Sequence, residues 1–315
     1  MLSFAAFRSE MPYCSLCNLE QAIYFRPYSG EYLCRKCFLA SIGEKVRKTI
    51  SRHKMFEHDS RIAIGVSGGK DSLSLLHIMA EIERDFSMAK LTAITVDEGI
   101  QNYRDEAIKL AEEATKTLGI EHLVVSFKEL FGHSLDEIVE KTKNGPLTPC
   151  SFCGVLRRRA LNTSAKMIGA DRLATAHNLD DMAQTVLLNM LRGDHRRLLL
   201  LDPRGSPLSD MFVARVKPYC EIPERESTLH AYIRGIRFQS RPCPYAPASM
   251  RSDIRDFLDR MEVKRPGTKF IVFQSMQKML PQLEQENRVF GTCKRCGEPT
   301  TQDLCRACSI LEDLS

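Results

Sequence analysis

The sequence predicts a doubly wound α/β domain, an open parallel sheet with helices on both faces, carrying a zinc-ribbon module at each end. Three observations predict it. Short β-branched and apolar runs alternate with helical patterns between residues 61 and 193, as parallel βαβ units require. The first run ends in a glycine turn, Ser67-Gly68-Gly69-Lys70-Asp71-Ser72, that opens a helix. Paired Cys-x2-Cys motifs stand near both termini, and two such knuckles close a tetrahedral four-sulfur zinc site. These features divide the chain into an N-terminal zinc ribbon (1–40), a helical linker (41–58), a nucleotide-handling domain (59–290) and a C-terminal zinc module (291–315).

Composition narrows the function. The chain has 315 residues, 43% of them hydrophobic, and no apolar run approaches the ~18 residues of a membrane span. The opening MLSFAAFRSE has no small-residue cleavage site, so no signal peptide is read and a cytosolic protein is expected. Lys and Arg number 45 against 40 Asp and Glu, a net +5 that is compatible with nucleic-acid binding without demonstrating it. Twelve cysteines in such a chain point to metal, cluster or thiol chemistry, because the cytosol keeps thiols reduced.

The cysteines sort by spacing. Cys14 and Cys17 are followed after sixteen residues by Cys34 and Cys37. Cys293 and Cys296 are followed after eight residues by Cys305 and Cys308, with turn-forming Gly297 and Pro299 between the halves. Both sets read as closed structural zinc sites, folding small modules that lack a core of their own. Four cysteines remain: Cys150, Cys153, Cys220 and Cys243.

RIAIGV (61–66) reads as a buried parallel strand, and Leu73, Leu75, Leu76, Ile78 and Met79 as the apolar positions of the helix after the turn. Exposed N–H groups and the positive end of a helix favour phosphate oxygens, and glycines permit close backbone approach. Lys70 adds charge, and Asp71 is placed to hold Mg²⁺. The turn is not a Walker A loop, since G-x4-G-K-[ST] is absent. It resembles the PP-loop of the N-type ATP pyrophosphatases, which bind ATP, transfer AMP to a substrate oxygen and release pyrophosphate. The resemblance implies that the backbone from Val66 to Ser72, through Ser67, Gly68 and Gly69, cradles the β- and γ-phosphates.

LTAITV (91–96) reads as a second strand ending in Asp97-Glu98-Gly99, residues 103–118 as an amphipathic helix, HLVVSF (122–127) and RLATAH (172–177) as third and fourth strands, and NLDDMAQTVLLNMLRG as the following helix. Ligands of such sheets sit at the carboxyl ends of the strands. In the relatives adenine and ribose contact these ends, which implies Thr95 and Ala176 through their backbone. Asp180 and Asp181 stand at a helix start, where they cap the helix or where Asp181 meets Mg²⁺ or the reacting substrate.

Cys150 and Cys153, in PCSFCGVLRRR, precede the helical pattern VLRRRALNTSAKMIG. The pair is open to several readings: half a zinc site, a redox couple, a sulfur carrier, or part of an iron–sulfur site. Cys243 lies ninety residues later between Pro242 and Pro244, in a stiffened turn. Three such thiolates can hold a [4Fe–4S] cluster by three irons and leave the fourth open. Along the chain follow paired cysteines at the start, a PP-loop, a central Cys-x2-Cys, HNLDDMAQTVLLNMLRGD (177–194), RPCPY (241–245), RPGTKF (265–270) and paired cysteines at the end. The set resembles the tRNA 2-thiolation proteins of archaea and the eukaryotic cytosol.

That resemblance implies a [4Fe–4S] cluster on Cys150, Cys153 and Cys243 beside the ATP site, with Arg157 touching ATP phosphate. It further implies tRNA as substrate, sulfur from a ubiquitin-like carrier thiocarboxylate or free sulfide, and homodimers in some members. Lys70, Asp71, Asp181 and the three cysteines are the expected catalytic set, with ATP, Mg²⁺, the cluster and two Zn²⁺ as cofactors. A Cys-x2-Cys disulfide or persulfide is the rival sulfur chemistry. A different AMP-forming PP-loop ligase, or a zinc-ribbon RNA-binding subunit with a vestigial nucleotide fold, are the rival functions. Arg157–Arg159, Arg192 with Arg196 and Arg197, and Arg225, Arg234, Arg237 and Arg241 form basic groups that either neutralise tRNA phosphates or make solvated faces. Cys220 reads as a bystander thiol, and residues 195–212 have no place in the nucleotide-fold logic.

Overall fold

The computed structural model describes residues 11–86, 88–143, 147–205, 212–246, 250–283, 291–312 and 314. The opening MLSFAAFRSE and residues 206–211 of the unexplained loop lie outside the described residues, as does the Arg196 side chain. The N-terminal module is a hairpin of β1 (Tyr24–Arg26) and β2 (Glu31–Leu33), paired antiparallel. It runs into helix α1 (Arg35–Arg52), so the boundary expected at residue 40 falls inside a continuous helix. Phe38, Ile42 and Val46 recur every four residues along one face of α1. They bury with Tyr24 and Leu33 of the hairpin, and with Leu73 and Leu76, in one apolar cluster. The module thus borrows its core from the main domain.

The main domain begins with β3 (Arg61–Gly65), α2 (Lys70–Glu83), β4 (Lys90–Asp97), α3 (Arg104–Leu118) and β5 (Glu121–Ser126). Then follow α4 (Phe127–Phe131), α5 (Leu135–Lys141), α6 (Pro149–Met167), β6 (Arg172–Ala174), α7 (Leu179–Leu191), α8 (His195–Leu199) and β7 (Ala214–Val216). The five strands are all parallel, in the order β5-β4-β3-β6-β7. Alternation divides their side chains between two cores. Ile62, Ile64, Leu91 and Ala93 face α1, α2 and α3. Ala63, Ile94, Val125 and Leu173 face Phe127, Ile138 and the α6 residues Phe152, Leu156 and Ala160. Both faces are covered, as the doubly wound class requires.

Beyond the sheet come α9 (Glu224–Ile233), α10 (Met250–Lys264) and α11 (Thr268–Met279). Leu179, Met182 and Val186 of α7 bury against Phe273 and Met276 of α11, together with Cys220. The C-terminal module has β8 (Gly291–Thr292), β9 (Pro299–Thr300) and α12 (Arg306–Glu312). Its Cys293, Cys305, Cys308 and Ile310 share the second core with Phe152 and Leu156 of α6. No described helix is long and apolar enough to cross a membrane.

Three expectations need correction. A fifth strand, β7, was not anticipated: Ala214-Arg215-Val216 is too short to show a period. The fourth strand stops at Ala174, because residues 175–178 turn toward α7, where Asn178 accepts a hydrogen bond from Asp181 N at 2.9 Å as its cap. Cys150 and Cys153 do not precede a helix; they occupy the first turn of α6, which Pro149 opens. Proline suits that position because its ring presets the helical φ and its missing N–H has no partner to lose.

Candidate functional site

The strand order reverses between β3 and β6, so the ligand crevice of this fold opens at their carboxyl ends. Val66 follows β3 and is tied to β4 by its N–H to Ile94 O at 2.8 Å. The Ser72 hydroxyl closes the loop, accepting from Ser67 N at 3.1 Å and donating to Gly69 O at 3.0 Å. Gly69 caps α2 with no side chain over the helix end, which leaves the first N–H groups open to an anion. Gly68 has a φ of +81°, and a Cβ there would sit 2.4 Å from Ala107 O and 2.7 Å from Ala107 Cα. Both distances are to backbone of α3, so the loop and the helix cannot separate cheaply. Gly68→Ala is expected to cost at least about 2 kcal/mol, from the left-handed φ plus the clash. Denaturation with and without ATP measures it; wild-type stability and ATP affinity in the variant would contradict this account of the loop.

Lys70 Nζ lies 2.8 Å from Asp71 Oδ2 and 2.8 Å from Glu224 Oε1. The other Asp71 oxygen is buried without a hydrogen-bond partner, and an orphaned buried carboxylate oxygen beside a phosphate loop fits a Mg²⁺ ligand. Asp181 faces the same group. Burial pushes its carboxyl up to about 6, with Asp71 and Glu224 adding and Arg251 opposing. Asp181 also closes a capping box on α7, accepting from Asn178 N at 3.3 Å through Oδ2, so capping and a role at the site coexist. Asp180 instead pairs with Lys269 of the RPGTKF segment and accepts from Glu224 N at 2.8 Å. Thr95 is fully buried, and its hydroxyl donates to Val66 O at 2.9 Å and meets His122 Nε2 at 2.8 Å. Ala176 lies half-buried just past the end of β6.

The cysteines of α6 stand at i and i+3, on one face of the helix. The Cys150 thiol contacts Tyr245 O at 3.4 Å, which brings the Cys243 turn against it. Cys153 and Cys243 pack against the same apolar cluster. Burial pushes the Cys153 thiol up to about 11, against the pull of the Arg157 charge. No disulfide joins any of the twelve cysteines, Cys150 and Cys153 included. Among the described residues, the terminal sets each bring four ligand sulfurs within 4.8 Å of one another, and the central three do not. Close quartets suit one tetrahedral ion; a wider trio suits a cluster of several irons. The Cys37, Cys305 and Cys308 N–H groups point at sulfurs of their own quartets at 3.2–3.4 Å, the outer-shell support thiolate ligands use.

Arg157 projects from α6 one turn beyond Cys153, half-exposed, with Nη1 3.5 Å from Glu98 Oε1. His177, past β6, is accessible to water yet hemmed in by protein, and that confinement pushes its pKa down to about 3, with Lys217, Arg251, Arg157 and Arg215 all adding. Lys217 donates to Leu200 O at 3.2 Å and Asp202 O at 2.9 Å, which ties the described part of the 195–212 loop to the end of β7. Other basic groups are already paired: Arg197 with Asp194, Arg234 with Glu81 and Arg237 with Glu113. Arg225 lies over the Tyr24 ring and Arg241 donates to Asn102 O at 2.7 Å. Arg192 is exposed at the C-cap of α7. Arg159 bonds Glu298 at 2.9 Å and reaches Cys296 Sγ at 3.3 Å, serving the C-terminal module.

Arg157 of the cysteine helix is thus linked to the phosphate loop through Glu98 and Arg104, which donates to Ser67 O at 3.1 Å. A family model described as PP-loop domain matches residues 40–258. Another, described as the N-terminal LIM domain of 2-thiouridine synthetase TtuA, matches residues 13–39. Cytoplasmic tRNA 2-thiolation protein 1 of Chlamydomonas reinhardtii is 39% identical, covering 96% of this chain and 85% of its own. The chain belongs to the cytoplasmic tRNA 2-thiolation protein 1 family of PP-loop proteins. Within the same group, a probable sulfurtransferase of Methanocaldococcus jannaschii is 36% identical over 96% of this chain and 88% of its own. Among solved structures, the U34-tRNA thiolase NcsA of Methanococcus maripaludis with its [4Fe-4S] cluster superposes with a TM-score of 0.86 at 36% identity, covering 97% of both chains. The expected family and fold class are borne out.

Sequence reasoning missed Glu98, Arg104, Glu224 and His177 as site residues. Glu98 carried a signal, since it directly follows a strand end in Asp97-Glu98-Gly99. Glu224, 154 residues from Lys70, carried none.

Proposed function

We propose that this chain is a cytoplasmic, ATP-dependent tRNA-uridine 2-sulfurtransferase. The observation that carries the reading is a chain of contacts from an intact PP-loop to the cysteine helix: Ser67 O accepts from Arg104, Arg104 pairs with Glu98, and Glu98 pairs with Arg157, one turn beyond Cys153. The archaeal thiolase named for U34 makes that position the first uridine to test.

Chemically, the uridine C2 oxygen attacks the α-phosphorus of ATP, and pyrophosphate leaves with the broken P–O bond. Sulfide sulfur then bonds C2, and AMP departs carrying the former carbonyl oxygen. The open N–H groups in the first turn of α2 and the Lys70 ammonium bind the β- and γ-phosphates. Asp71, whose Oδ1 is buried without a hydrogen-bond partner, and Asp181 would hold Mg²⁺. Thr95 and Ala176 present backbone to the nucleoside. Arg157 and Lys70 stabilise charge developing on phosphate. Cys150, Cys153 and Cys243 would hold a [4Fe–4S] cluster, whose chemistry would be to carry the sulfide. The terminal quartets hold one Zn²⁺ each, as structural sites. Sulfur comes from a ubiquitin-like carrier thiocarboxylate or from free sulfide, and the enzyme works as a homodimer.

Anaerobic purification with iron, sulfide and zinc analysis, followed by incubation with unmodified tRNA transcript, ATP and sulfide, tests the reading. About four irons and two zincs per chain are expected, with 2-thiouridine, AMP and pyrophosphate as products. AMP formation from a colourless protein, with no sulfur in the tRNA, would instead indicate another AMP-forming ligase.

A further inference from the structure

Glu98 is a buried carboxylate that no part of the ATP or sulfur chemistry above uses directly. It is 4% exposed and meets two arginines. Arg104, 6% exposed, lies with Nε 2.7 Å from Glu98 Oε2. The same guanidinium donates to Ser67 O at 3.1 Å, on the phosphate loop, and to Val96 O at 2.6 Å, at the end of β4. Two backbone hydrogen bonds therefore hold Arg104, and its charge lies against the Glu98 carboxylate as a close ion pair, which places that carboxylate relative to the loop. The backbone beneath is equally held. Leu135 N donates to Glu98 O at 2.7 Å, Gly99 N donates to Asp97 Oδ1 at 2.8 Å, and a Cβ at Gly99 would sit 2.6 Å from Ser134 Cβ.

The second Glu98 oxygen faces Arg157 Nη1 at 3.5 Å. Arg157 has five N–H donors in a planar fork, and among the described residues Glu98 is its one ion-pair partner. Its side chain is 51% exposed, so the rest of the fork is open to the crevice. Without an anchor, a long side chain there samples many rotamers and loses that freedom only when a ligand binds. A buried carboxylate that is ion-paired with Arg104 at its far oxygen removes part of that cost beforehand.

We infer that Glu98 is a positioning residue: held by Arg104 on the phosphate loop, it sets the Arg157 guanidinium toward the phosphate of bound ATP. This rests on the proposal that the crevice binds Mg·ATP. The Glu98–Arg157 contact is long for an ion pair, so shortening the carboxylate releases Arg157 first. Glu98→Asp keeps the charge and shortens its reach toward Arg157; Glu98→Gln keeps the shape and removes the charge.

The test is a double-mutant cycle on the full-length protein, reading the Kd of Mg·AMPPNP by calorimetry. Glu98→Asp and Glu98→Gln are each expected to weaken binding about tenfold in the wild-type background, the scale of one hydrogen bond to a charged group. In an Arg157→Ala background both are expected to have less than about a twofold effect, because residues acting through one contact are not additive. A purely structural role would give the same loss in both backgrounds and overturn the inference, as would wild-type affinity in Glu98→Asp. If Glu98→Gln does not fold, Glu98→Asp carries the cycle alone. Wild-type protein with no affinity for Mg·AMPPNP would overturn the ATP reading itself, a result distinct from a failed cycle.

Discussion

Cys243→Ala is expected to lose most of the iron recovered on anaerobic purification and to lower tRNA thiolation by about three orders of magnitude or more, the scale of removing one member of a unit that acts together. Two thiolates on one helix turn can hold two irons at most, and the cluster then lacks its third protein ligand. Zinc content should not change, because both quartets lie elsewhere. Cys220→Ala is the control. Cys220 is fully buried among Leu179, Met182 and Phe273, so it should keep iron and thiolation and lose only a little stability. The outcome that would sink the three-cysteine reading is Cys243→Ala protein with full iron and full activity. Thiolation surviving without iron, but lost in Cys150→Ala or Cys153→Ala, would favour the persulfide chemistry instead.

The second large effect is on stability. Cys14→Ser is expected to release one zinc and to destabilise the whole domain, not the hairpin alone. Structural zinc supplies about 10–16 kcal/mol to isolated fingers at neutral pH. Here a share of the folding energy already comes from Phe38, Ile42 and Val46, buried against Leu73 and Leu76 of α2. The expected loss is therefore smaller, about 3–5 kcal/mol. Glu226, fully buried, takes part in the same coupling: Arg26 Nε lies 2.7 Å away and the Tyr28 hydroxyl donates to it at 2.6 Å. Losing the hairpin would strand that carboxylate without its partners, which is costly for a buried charge. Chemical denaturation alongside zinc analysis measures the effect. Unchanged stability with one zinc missing would show that the first quartet is not a structural site.

The two predictions separate what the sequence could and could not reveal. The cysteine quartets were visible because their ligands come from two short knuckles each, and knuckle spacing is a local property. The phosphate loop was visible for a similar reason: strand, glycine turn and helix N-terminus are consecutive. The Cys150–Cys153 pair was visible as a motif, yet its place on the first turn of α6 was not, since the apolar pattern begins later than the helix that Pro149 opens. β7 escaped because a three-residue edge strand with a charge at its centre carries no readable alternation.

Taken alone, the sequence determined the fold class, the phosphate loop and both cysteine quartets. Each is specified by residue type and short spacing, which backbone geometry translates directly. Only the tertiary structure decided which charges face one another: Lys70 against Glu224, Asp180 against Lys269, and Glu98 between Arg104 and Arg157. A doubly wound sheet brings strand ends from distant parts of the chain to one edge, so the neighbours of a site residue depend on strand order. No local pattern encodes that order, and the energy of a buried charge depends on it entirely.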